Sequence, residues 1–325
     1  MIICRAPYRI TLGGGGTDLP AFYRKHEGFL ISGAIDKYCM VTAHERELQT
    51  YRIKGYITEE QRKLADIKHN LFREAFKLYH IHPGIECTSL ADLPTGTGLG
   101  SSGAFLSALL GALQEFNGYE IDQRRVAEDG CKIELDILKE HEGKQDKYAS
   151  AFGSITAFTF HKNDTVTVRP LANSDQIIPA LEHHLCYFYV GQKRKEKASV
   201  VLKKQEKKMM EKMLHIKDIG ILSLKALEAG NFNRFGELLN DHWEIKKEYS
   251  PTSVNPQVNN WYKTAMDKGA LGGKIMGAGG IGGYFMFYHP GNKHEIIQFK
   301  EDMLHHGLHP VGFNIDREGV KIIHR

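Results

Sequence analysis

The residues best placed to do chemistry lie in Pro94-Thr-Gly-Thr-Gly-Leu-Gly-Ser-Ser-Gly-Ala104. Three alternating glycines, Gly96, Gly98 and Gly100, let the backbone take positive φ and turn several N–H groups toward one point. Ser101 and Ser102 stand where a helix should begin, and Phe105, Leu106, Leu109, Leu110, Leu113 and Phe116 carry it to a stop at Asn117-Gly118. A helix N-terminus with converging amides is a seat for an anion, phosphate above all. A glycine-rich stretch alone also suits a flexible turn before a buried helix. Pro94, the regular spacing, the paired serines and the immediate apolar helix favour the phosphate seat.

Other phosphate motifs are missing. No Gly-Lys-Ser/Thr string follows four spacer residues after a glycine, so this is not a Walker A loop. The His-Arg-Asp and Asp-Phe-Gly strings of protein kinases are also missing. A Gly-x-Gly-x-x-Gly occurs at Gly277, Gly279 and Gly282, but Tyr284-Phe-Met-Phe-Tyr288 after it reads as a strand. A dinucleotide fingerprint needs a helix there to receive the pyrophosphate, so that reading fails on context.

Two further glycine clusters flank the central loop. Arg5-Ala-Pro-Tyr-Arg-Ile-Thr-Leu-Gly-Gly-Gly-Gly-Thr-Asp18 runs from a strand into a close backbone approach that ends in an acid. Lys274-Ile-Met-Gly-Ala-Gly-Gly-Ile-Gly-Gly283 links two strand candidates. In this order and spacing the three clusters resemble the signature motifs of the GHMP kinases, small-molecule kinases that include galactokinase, homoserine kinase and mevalonate kinase. The resemblance runs from Arg5 to about Tyr288, and its central motif is the most specific. Gly13-Gly-Gly-Gly-Thr-Asp-Leu-Pro20, Gly143-Lys-Gln-Asp-Lys-Tyr-Ala-Ser-Ala-Phe-Gly153, His242-Trp-Glu-Ile-Lys-Lys247 and Gly269-Ala-Leu-Gly-Gly-Lys274 are similar to the sugar-phosphate branch, the heptose 7-phosphate kinases and the related fucokinase domain. There are departures. Gly103 replaces a common alanine, Ile281 interrupts the third glycine run, and Gly191-Gln-Lys-Arg-Lys-Glu-Lys-Ala-Ser199 is two residues longer than the comparable string.

The resemblance implies an ATP- and Mg²⁺-dependent sugar-phosphate kinase acting on the anomeric hydroxyl of D-glycero-D-manno-heptose 7-phosphate. A kinase of an unphosphorylated sugar and a catalytically silent sugar or nucleotide sensor are the alternatives. It implies a base at Asp146 partnered by Arg9, and a nucleotide cradle from Pro94, Gly96, Gly98, Leu99, Gly100, Ser101, Ser102 and Gly103. Ser102 and Glu134 match the metal ligands, with Asp136 in reserve. Gly15, Gly16, Thr17, Asp18, Gly277, Ala278 and Gly279 match the sugar pocket. Arg194 and Lys197 are candidates for a distal phosphate, because arginine can grip one bidentately. The implied architecture is α+β in two domains, ribosomal protein S5 domain 2-like over 1–170 and ferredoxin-like over 171–325.

The elements that must position these residues follow from periodicity. Ile2–Cys4, Phe29–Ile31, Tyr38–Ala43, Ile85–Leu90 and Leu185–Val190 read as strands, and Ile155–Phe160 with Thr165–Val168 as a hairpin. Helical spacing joins Leu64, Ile67, Leu71, Ala75 and Leu78, runs from Asp122 to about Glu140, and fills a long stretch ending near Tyr249. This is mixed α+β order rather than βα alternation. The chain has 325 residues, 42% of them hydrophobic, enough for a large core in two domains. Five dispersed cysteines suit reduced thiols in a cytoplasm rather than zinc or disulfides. No signal peptide or membrane span is expected. The net charge of +4 suits an anionic small molecule and demands no nucleic acid. Nine lysines or arginines between Lys193 and Lys212 read chiefly as a solvated helical face. Homodimer formation stays open.

Overall fold

Two long strands frame the molecule. In a computed structural model describing residues 1–191, 206–249, 255–277 and 283–325, β1 (Ile2–Gly13) runs antiparallel to β2 (Gly28–Glu45). Three short strand candidates thus belong to two continuous strands. Pro7 and the glycines hide that continuity in sequence, and a register shift between Pro7 and Tyr8 absorbs the irregularity. The intervening α1 is Pro20–His26. The N-terminal part of β2 pairs with β6 (Ile155–Phe160) and its C-terminal part with β5 (Ile85–Ala91). With β3 (Tyr51–Lys54), β4 (Glu59–Gln61), β7 (Val166–Pro170) and β12 (Lys321–His324) they form an eight-stranded sheet. The hairpin of β6 and β7 forms as expected, while β12 returns from the far end of the chain to pair with β1.

On this sheet lies the buried helix α3 (Ser101–Phe116), flanked by α2 (Asn70–Leu78), α4 (Gln123–Cys131) and α5 (Gln145–Phe152). The spacing from Leu64 to Leu78 is not one helix: a single 3₁₀ turn at Leu64–Asp66 breaks before α2. The helix expected from Asp122 starts there, with the Asp122 carboxylate accepting from Arg125 N–H at 3.0 Å, but passes into a π-helical turn at Lys132–Ile137.

The second sheet is four-stranded and antiparallel, with β8 (Leu185–Tyr189), β9 (Gly272–Ile275), β10 (Tyr284–Tyr288) and β11 (His309–Val311) in the order β11-β8-β10-β9. Its helices are α6 (Ser174–His184), α7 (Glu206–Glu228), α8 (Phe232–Tyr249), α9 (Pro256–Asp267) and α10 (Lys293–His305). The long helical stretch is split at Gly230, whose positive φ ends α7. Trp243, Tyr262, Phe285, Phe287 and Phe299 pack one face of this sheet. A separate core joins the two sheets, bringing Tyr8, Ile10 and Leu12 of β1 against Tyr187, Met286 and Phe235. The α+β, two-domain expectation holds. All five cysteines are buried free thiols. Among the described residues no helix is long and apolar enough to cross a membrane.

Candidate active site

The site forms where β1, the loop before α3 and the first turn of α5 meet. Arg9 is nearly buried and uses its planar fork three ways. Nε and Nη2 contact Asp146 Oδ1 at 2.7 and 2.6 Å, and Nη1 donates to Gly98 O at 2.7 Å. Its backbone N–H also donates to Leu99 O at 2.9 Å. One residue therefore fixes both the acid and the glycine loop. Asp146 lies in the first helical turn of α5 rather than capping it, where the helix dipole favours a carboxylate. Its Oδ2 takes no hydrogen bond from the described residues.

Gly96, Gly98 and Gly100 all hold φ near 80° (81°, 80° and 79°), the left-handed region open to glycine. Gly100 is the N-cap of α3, and no side chain caps that helix, which suits its amides to an external anion. Leu99 is fully buried and anchors the loop, whereas Pro94 and Ser102 are exposed and Ser101 half-buried. Gly103 touches the acid directly: a Cβ there would come within 2.5 Å of Asp146 Cβ. The glycine that departs from the common alanine thus lets α5 approach α3 closely.

Asp18 sits across the pocket, buried, with Oδ2 accepting the Gln145 backbone N–H at 2.9 Å. Burial pushes its carboxyl above the ordinary range, against the pull of that N–H. Gly143 is required here, because any Cβ would collide with Asp18 Oδ2. The Gln145 amide donates to Thr11 Oγ1 at 2.6 Å and Ser32 Oγ at 3.1 Å, pinning the start of α5 to β1 and β2. Thr17 departs from its expected place beside the sugar. It is fully buried, its hydroxyl held by the carbonyls of Gly14 and Phe29, so it closes the loop against β2.

Glu134 lies on the π-helical turn, 4% exposed, and its Oε2 meets Lys147 Nζ at 2.6 Å. Lys147 also donates to Gly143 O at 2.7 Å. Burial is the largest influence on Lys147 and opposes its charge, yet Glu134, with Cys131 and Asp146, together outweigh it and the ammonium ends above its ordinary value. The ligand expected for a metal is thus bound to a lysine through one oxygen, while Oε1 takes no hydrogen bond from the described residues. Asp136 is exposed.

The pocket is lined by Arg9, Gly15, Gly16, Asp18, Asp146 and Gly277, all expected, but also by residues that spacing did not reveal. His242 and Lys246 of α8 and Lys274 of β9 face into it and are all but buried. Lys246 donates to Ile275 O at 2.8 Å and Gly277 O at 2.6 Å, holding the end of β9. Burial, then Lys274 and Lys246, pull the His242 imidazole well below its ordinary value. Burial, then Arg9, lowers Lys274 to about 7. The signal available in sequence was the resemblance carried by the segments 242–247 and 269–274, which attached no site role to these three residues. Arg194, Lys197, Ala278 and Gly279 lie outside the described residues.

Residues 67–154 match the family model described as GHMP kinases N terminal domain, and residues 223–301 match GHMP kinases C terminal. The D-glycero-alpha-D-manno-heptose 7-phosphate kinase of Campylobacter jejuni is 28% identical over 309 residues, 90% of this chain and 91% of that one. The L-fucokinase/L-fucose-1-P guanylyltransferase of Bacteroides fragilis is 26% identical across 86% of this chain but only 34% of its own length. A crystal structure of a D-glycero-D-manno-heptose 1-phosphate kinase from Bacteroides thetaiotaomicron shares the fold, with a TM-score of 0.82 and 23% identity over 100% of this chain and 99% of that one. The two matched segments together span just over half of the sequence, and the chain belongs to the GHMP kinases, ATP-dependent small-molecule kinases.

Proposed function

We propose that this kinase transfers the ATP γ-phosphoryl group to the anomeric hydroxyl of D-glycero-D-manno-heptose 7-phosphate. The observation that carries the reading is the Arg9–Asp146 pair, because it joins the glycine loop to the acceptor pocket. Phosphoryl transfer asks for a positioned nucleophile and neutralised charge rather than covalent chemistry from the protein. Asp146 Oδ2 takes the proton of the sugar hydroxyl, and Arg9 offsets the charge that develops there. Loop amides and the α3 N-terminus hold the nucleotide phosphates, and Asp18 accepts hydrogen bonds from neighbouring sugar hydroxyls. The 28% identity to a heptose 7-phosphate kinase across nine-tenths of the chain supports the choice of sugar. Arg194 and Lys197 are proposed for the distal phosphate.

Ser102 and Glu134 would hold Mg²⁺. They offer a hydroxyl and an unengaged carboxylate oxygen, hard donors of the kind this ion takes while phosphates and water supply the rest. The ion supplies charge neutralisation on the transferring phosphates.

A second reading, a kinase of an unphosphorylated sugar, draws on the three carboxylates Asp18, Glu142 and Asp146 around the pocket, which suit a neutral polyol. ADP release measured over free and phosphorylated sugars separates the two. Heptose 7-phosphate is expected to give the highest kcat/KM, and a preference for free fucose, galactose or heptose would select the second reading.

The cradle has its own test. Valine at Gly98 would strain a backbone held at φ 80°, by about 1–3 kcal/mol. Gly98→Val should therefore weaken binding of a non-hydrolysable ATP analogue by about tenfold or more, each decade being about 1.4 kcal/mol. Unchanged affinity in the folded variant, read by calorimetry, would remove this loop from the nucleotide site.

A further inference from the structure

The acceptor pocket holds a cation that the chemistry above leaves unused. Lys274 stands on β9, where every residue is buried, and is itself 3% exposed. Its ammonium donates to Leu12 O at 3.4 Å and lies 3.3 Å from His242 Nδ1, both long contacts. Among the described residues it makes no ion pair, and the charge that acts on it most is the like charge of Arg9. The charged and titratable groups facing the same pocket are Arg9 on β1, Asp18 beyond it, Glu142 ahead of α5, Asp146 on α5, and His242 and Lys246 on α8. Asp146 is bound to Arg9, and Asp18 to the Gln145 N–H. A buried ammonium without a counter-charge is costly, and three donors facing two long contacts leave capacity for an anion.

We propose that Lys274, oriented by His242, is a phosphate-reading group of the acceptor pocket, donating to a phosphoryl oxygen of the bound sugar phosphate. This rests on the reading of the acceptor as a sugar phosphate. It has a consequence in protons. With its value near 7, Lys274 is mostly the neutral amine at pH 8. An arriving phosphate dianion restores the opposite charge and draws one proton from solvent onto the amine. His242 stays neutral at that pH, and a phosphate monoester, with a second pKa of about 6, is already dianionic. Binding thus takes up close to one proton at pH 8.

Calorimetry at pH 8 in two buffers of different ionisation enthalpy tests this with three probes: heptose 7-phosphate, the unphosphorylated heptose and a non-hydrolysable ATP analogue. For wild type, heptose 7-phosphate should bind with proton uptake and the free heptose without it. Lys274→Met should lose the uptake and weaken heptose 7-phosphate by roughly tenfold or more, a charged hydrogen bond to phosphate being lost, while sparing the other two probes. Lys274→Arg, which stays charged, should bind heptose 7-phosphate with no uptake. Equal effects of Lys274→Met on both sugars, or no effect on either, would overturn the proposal and leave Lys274 a packing residue. Selective loss of the nucleotide analogue would overturn it in favour of a nucleotide contact. A wild-type protein that binds the free heptose as tightly as the 7-phosphate would instead defeat the sugar-phosphate reading, a result visible without any variant.

Discussion

Asparagine at position 146 should lower kcat by about 10²–10⁴-fold, the usual share of general acid–base catalysis, while leaving nucleotide affinity nearly unchanged. The geometry separates the two effects. Oδ1 of Asp146 is engaged by Arg9, and an asparagine oxygen can still accept there, so Arg9 keeps its hold on Gly98 O and the loop stays in place. What asparagine cannot do is accept a proton at the position of Oδ2. Loss of kcat and kcat/KM together would mark an interaction made in the transition state alone. Steady-state ADP release, with calorimetry on a non-hydrolysable ATP analogue, reads both quantities. A variant that kept more than about a tenth of wild-type kcat would remove Asp146 as the base, since a general base typically contributes about a hundredfold or more.

The parts of this site that were legible in sequence are those whose chemistry constrains the backbone. Gly96, Gly98 and Gly100 occupy left-handed φ that other residues avoid, so their spacing announces the loop before any fold is known. Arg9 and Asp146 were legible only through resemblance, because 137 positions of chain separate them and no local periodicity links them. Lys274, His242 and Lys246 were not singled out as site residues. His242 and Lys246 share one helix and Lys274 stands on a short strand, elements whose patterns speak of packing, and their convergence depends on how the second sheet meets β1. The same non-local pairing explains the strand errors. Phe29–Ile31 and Tyr38–Ala43 read as separate strands, yet β2 is continuous because β1 pairs with it along one edge and β6 and β5 along the other. Local rules likewise merged two elements between Leu64 and Leu78, where the 3₁₀ turn ends before α2 begins.

Removing the carboxylate of Glu134 should cost the fold about 3–5 kcal/mol, the typical penalty for leaving one partner of a buried ion pair unpaired. Both side chains are closed off from solvent, at 5% and 1% exposure, so the usual screening of surface pairs does not apply. In Glu134→Leu, Lys147 would keep only the Gly143 carbonyl. A loss of that size is a large part of the 5–15 kcal/mol that holds an ordinary domain together, so the single variant should unfold at distinctly lower denaturant. Glu134→Leu/Lys147→Met should recover most of the loss, since an apolar pair of similar volume often replaces a buried ion pair without net cost. The double variant then isolates the second role. If Glu134 also holds Mg²⁺, the restored fold should remain impaired in ADP release and need more Mg²⁺ to reach half-maximal rate. Full activity at ordinary Mg²⁺ in the double variant would leave Glu134 as the counter-charge of Lys147 and nothing more. A loss of less than about 1 kcal/mol in the single variant, the range of exposed pairs, would mean that solvent reaches the pair after all.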